Sequence, residues 1–102
     1  MNTEEFDKIL NYRLEAIGNV IGMKSREYAQ GGDRLFNFRS AARINGCTME
    51  QALWGMATKH LVSVQDLVEG RLDPDPEMVN EKIGDMINYL ILLEAVLKEV
   101  KE

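Results

Sequence analysis

Glu81, Asp85 and Asn88 are spaced four and three residues apart. On a helix turning about 100° per residue, that spacing sets two carboxylates and an amide on one face. The same stripe continues as Leu92, Ala95 and Val96, so this face turns apolar rather than staying in solvent. Two carboxylates one turn apart repel if both are ionised, so they call for a cation between them, a basic partner or a raised pKa. Magnesium suits the chemistry, because it takes carboxylate oxygens and keeps waters free for exchange with phosphate. An internal salt bridge to Lys or Arg would also answer, as would a partly wet helix end beside the Asp73-Pro74-Asp75-Pro76 loop. Glu81 and Asp85 are candidate metal ligands, and Asn88 a candidate ligand-binding residue.

Lys59, Ser63 and Asp66 repeat the same spacing on an earlier segment. Asp66 offers a third carboxylate for the same ion, or a surface or capping role. Lys59, a compact point charge, could hold a phosphate and counter developing charge, or neutralise Glu81 or Asp85. With Asp85 it forms the candidate catalytic pair. His60 falls instead in the apolar stripe of Leu53, Met56, Val64 and Leu67, and is read as a packing residue. Farther back, Gly31-Gly32 precedes a helix start and can expose backbone N–H groups to an anion, with Lys24, Arg26 and Arg34 nearby. The Gly-Gly-Asp run is also an ordinary turn. Lys24, Tyr28, Arg34 and Asn37 are candidate ligand-binding positions, while Phe36 and Phe38 are read chiefly as core.

The elements that must position these groups read as helices. Thr3 with Glu4 and Glu5 looks like a helix start, followed by Phe6, Ile9, Leu10, Leu14, Ile17, Val20 and Ile21 at three- and four-residue steps. Asp33 can cap a second helix, which Asn45-Gly46 closes. Thr48 with Gln51 has the form of a capping box for a third. Asp75 as cap and Pro76 in the first turn start a last helix that is apolar nearly all round from Met86 to Leu97, as befits the centre of the fold. The expected spans are 3–27, 34–44, 49–69 and 76–101. With no alternating strand pattern, the class is all-α: a four-helix bundle-like single domain over 1–102.

The 102 residues allow one modest core, so self-association into a homo-oligomer would help to bury apolar faces. A net charge of −5 disfavours a nucleic acid polymer as partner, though not a single nucleotide. Cys47 alone builds neither an internal disulfide nor a cysteine metal site, which points to a reducing, cytoplasmic compartment. The acidic start is not that of a secretory signal. No apolar run has membrane-spanning length, so no membrane is expected as partner.

Three segments taken in order, Tyr28 to Phe38, Lys59-His60 to Asp66 and Glu81 to Leu93, resemble a group of small phage and prophage proteins of uncharacterised role. That group is itself remotely similar to the MazG-like, all-α nucleotide pyrophosphohydrolases, mainly through Glu81-Lys82-Ile83-Gly84-Asp85 and the apolar helix that follows. The resemblance implies a helical bundle, dimeric or higher, in which acidic residues of adjacent helices bind magnesium. Water then cleaves a nucleoside triphosphate between its α and β phosphates. In that family a Glu-x-x-Glu pair precedes Glu-x-x-Asp. Here Asp85 matches the final acid, Lys82 stands where a Glu is expected with Glu81 beside it, and the third helix offers Lys59, Ser63 and Asp66 in place of the first pair. The function expected is nucleotide or related phosphate binding, with magnesium-dependent hydrolysis as its fuller form. The alternative is a non-enzymatic homo-oligomeric module whose buried salt bridges fix its register.

Overall fold

A computed structural model describes residues 1–24 and 32–101, with the side chains of Met23 and Lys24 outside the description. Every regular element in this part is helical: α1 (Thr3–Ile17), a π-helical segment (Gly18–Lys24), α2 (Phe36–Asn45), α3 (Met49–Val68) and α4 (Pro76–Lys101).

The helix starts follow local chemistry. At α3, the Gln51 N–H donates to Thr48 Oγ1 at 3.2 Å and the Thr48 N–H to Gln51 Oε1 at 3.1 Å, the expected capping box. At α4, Asp75 Oδ1 accepts from the Met78 N–H at 2.9 Å, and Pro76 occupies the first turn. The α1 cap is Asn2 rather than Thr3. Asn2 Oδ1 accepts from the Glu5 N–H at 2.8 Å, and the Glu5 carboxylate accepts from the Asn2 N–H at 3.4 Å.

Two boundaries differ from expectation. The single helix expected over 3–27 keeps α geometry only to Ile17; the wider π turn opens at Gly18 and contains Gly22, and glycine's weak helical preference makes this a place where the register can loosen. Residues 25–27 lie outside the described residues. The second helix begins at Phe36, because Asp33 Oδ1 accepts from the Leu35 N–H at 3.0 Å and so closes a turn before the helix. Gly46 ends α2 at φ 66°, a left-handed position suited to glycine.

The core joins α2, α3 and α4. Leu35, Phe38, Leu53, Ala57 and Val96 are buried, with Met49, Met56, Met86, Tyr89, Leu92 and Leu93 packed around them. The antiparallel α3 and α4 share the main interface, α2 lies on α3, and α1 meets α4 more lightly. No residue of α1 is buried, and Phe6, Ile9, Leu10 and Leu14 remain in solvent. A second tie fixes α2: Arg39 donates to Asp33 (Nε–Oδ2 2.6 Å) and, through Nη2, to both oxygens of Glu99 at 2.6 and 2.7 Å. No helix among the described residues is long and apolar enough to cross a membrane.

Candidate functional site

Where α1 crosses the first half of α4, an open cleft of about 560 Å³ forms. Its α4 wall carries Glu77, Asn80, Glu81, Gly84, Asp85 and Asn88, and its opposite wall carries Tyr12, Arg13, Ala16 and Ile17 of α1 with Val20 of the π-helical segment. The helical spacing of Glu81, Asp85 and Asn88 therefore does bring them to one hollow, and Glu77 extends the acidic stripe by one turn.

Arg13 supplies the opposing charge. Its Nη2 donates to the carbonyl oxygen of Asn80 at 3.2 Å. The guanidinium lies over Gly84, where a Cβ would stand 2.6 Å from Nη1. A side chain at 84 would thus occupy the place that Arg13 takes. Arg13 forms no salt bridge to the cleft carboxylates among the described residues, leaving N–H donors for an incoming anion.

The carboxylates differ in their neighbours. Asp85 Oδ2 lies 3.4 Å from His60 Nδ1, and the His60 ring stacks on Tyr89 with centroids 4.7 Å apart. The histidine read as packing is thus also the partner of the acid. Lys82 Nζ is 3.6 Å from Glu81 Oε1, so the lysine replacing the expected acid is its ion-pair neighbour. Asn88 Oδ1 is buried and accepts no hydrogen bond among the described residues. An acceptor in that state costs free energy until a donor reaches it.

The remaining candidates lie elsewhere. The Asp66 carboxylate accepts from Arg71 Nε at 2.8 Å and does not line the cleft. Lys59 is exposed and also absent from its walls. The Arg34 guanidinium donates to the carbonyl of Ile21, tying the π-helical segment to the approach to α2; Asn37 is exposed. Lys24's side chain and Tyr28 fall outside the described residues. Among the described residues no three His, Cys, Asp or Glu side chains gather tightly enough to hold a metal by themselves. Sequence reasoning missed Arg13, Glu77 and Asn80. Gly84, alone inside an apolar helical run, was the one local signal of a close approach.

Comparison of the chain with protein-family models, with curated proteins and with solved structures returns no match.

Proposed function

We propose that the α1–α4 cleft binds the phosphate-bearing part of a nucleotide or a related small phosphate, with magnesium as bridging ion. The observation that carries this reading is the meeting of Glu81, Asp85 and the unpartnered Asn88 carbonyl with Arg13 in one open hollow. The donor set fits the ion. Magnesium in phosphate sites is held by one or two carboxylates, with phosphate oxygens and water completing its shell, so a third protein ligand is not required.

On this reading Glu81 and Asp85 hold the ion, and His60 orients Asp85 through its Nδ1. Arg13 takes the phosphate charge, the role for which the spacing offered Lys59. Asn88 Oδ1 accepts from an N–H or O–H of the ligand. Bound magnesium would polarise a phosphoryl group and lower the pKa of attacking water. Cleavage between the α and β phosphates, as the MazG-like resemblance implies, is the fuller form of the proposal.

The test is magnesium-dependent binding and pyrophosphate release across common and modified nucleoside triphosphates. Asp85→Asn is expected to abolish magnesium-dependent nucleotide binding and leave the helical circular dichroism unchanged. Affinity equal to wild type would remove Asp85 from the site, and no binding by the folded wild-type chain would end the reading.

A second reading, a homo-oligomeric interaction module, is favoured by the apolar side chains that α1, α3 and α4 leave in solvent. Its buried salt bridges have no counterpart within one copy, since no polar or charged residue is buried among the described residues.

A further inference from the structure

We propose that the outer face of the α3–α4 pair seats a second copy of this chain. This gives the second reading a defined surface and does not depend on what the cleft binds. On α3, Leu53, His60 and Leu67 face inward or are partly covered, and the residue after each, Trp54, Leu61 and Val68, is 49%, 43% and 81% exposed. On α4, Leu90 and Leu97 follow Tyr89 and Val96 in the same way and are 49% and 47% exposed. Ile83, one heptad earlier, is half-buried.

Because α3 and α4 are antiparallel, a step of one residue turns to the same side of the pair on both helices. α1 and α2 cover the other side, where Ala52 is buried, Gly84 lies under Arg13 and Asn88 lines the cleft. The contact of His60 with Tyr89 sets the height, so Trp54 stands about level with Leu97, Leu61 with Leu90 and Val68 with Ile83. Three apolar layers at heptad spacing on two antiparallel helices are one half of a four-helix bundle, and an identical half completes it.

Size and charge both fit a copy. The layers extend about 21 Å along helices at 1.5 Å per residue and two helices, about 20 Å, across. That flat footprint of about 420 Å² per copy is about half of the roughly 800 Å² each partner gives to a standard interface, which places the contact at the small, readily dissociating end of specific interfaces. Despite the net charge of −5, like-charge repulsion is weak here. Beside the Leu90, Leu93 and Leu97 groove stand Glu94, Lys98 and Lys101, and Lys98 Nζ already lies 2.6 Å from Glu94.

Light scattering on the full chain across micromolar concentrations reads the mass, and the single tryptophan, Trp54, reads the face. The expected result is twice the 11.6 kDa chain mass, with Trp54 emission moving to longer wavelength as dilution halves the mass. Leu97→Glu is expected to halve the mass at concentrations where wild type is dimeric, with circular dichroism retained, while Phe6→Glu on α1 leaves it doubled. A wild-type monomer throughout, or a dimer whose dissociation leaves Trp54 emission unmoved, overturns the proposal. The wild-type dilution experiment decides the matter even if Leu97→Glu fails to fold.

Discussion

Gly84 governs whether Arg13 can stand in the cleft. Alanine is favoured over glycine in a helix interior by about 1 kcal/mol, so Gly84→Ala should not lower the melting temperature. Its Cβ meets only the far end of a flexible side chain, Arg13 Nη1, at 2.6 Å. That end will swing away. The expected outcome is a fold at least as stable as wild type with weaker nucleotide affinity, read by thermal melting and calorimetric titration on the same sample. A parallel loss of both would make Gly84 a packing position only. Residues of this kind were unevenly legible. Glu81, Asp85 and Asn88 betray their shared face because neighbours on one helix are close in sequence. Arg13 and Asn80 meet across two helices far apart in the chain, and periodicity carries no record of such a crossing. His60 was half legible for a related reason: its packing on an apolar stripe was clear and it does stack on Tyr89, but the acid opposite it belongs to another helix.

Among the elements, α2 is tied by charge as well as by the packing of Phe38. Arg39 bridges Asp33 before the helix and Glu99 near the end of α4. Its hydrogen bond to Asp33, joined by the Leu35 N–H, holds that carboxyl below its ordinary range. A depressed folded-state pKa contributes stability that is complete above the unfolded value, near pH 4, and is lost as pH falls through the lower folded value. The stability difference between wild type and Arg39→Gln should therefore be constant near neutrality and shrink as pH drops below about 4. Urea titrations over a pH series check this, and a pH-independent difference would remove Asp33 as the cause. The half-exposed setting keeps the effect modest and salt-sensitive. Helix starts were the most legible feature at this scale, because Thr48 with Gln51 and Asp75 with Pro76 act within one turn. The end of α1 was not legible: apolar spacing runs on through Val20 and Ile21 whether the turn is α or π.

For the whole molecule, the radius of gyration of 15.5 Å exceeds the roughly 13 Å typical of a compact chain this long. The excess has a structural source: no residue of α1 is fully buried, and apolar side chains on one side of the α3–α4 pair stay about half exposed. Among the described residues only Leu53 and Val96 are large side chains wholly removed from solvent, so the core of one copy has little reserve. Leu53→Ala leaves a hole between α3 and α4 that cannot collapse without moving α2. Such truncations cost about 2–5 kcal/mol, against a total of roughly 5–15 kcal/mol for ordinary domains. With the total at the low end of that range, as so small a core implies, the variant chain sits near balance and a measurable fraction is expected to unfold at low concentration. If a second copy covers that side of the α3–α4 pair, association favours the folded state by mass action. The unfolding midpoint of both wild type and Leu53→Ala should then rise with protein concentration, and the variant should regain helical signal as concentration increases. Thermal melts over a hundredfold dilution range measure this directly. A midpoint independent of concentration would mean that the stability of the folded chain is set within a single copy.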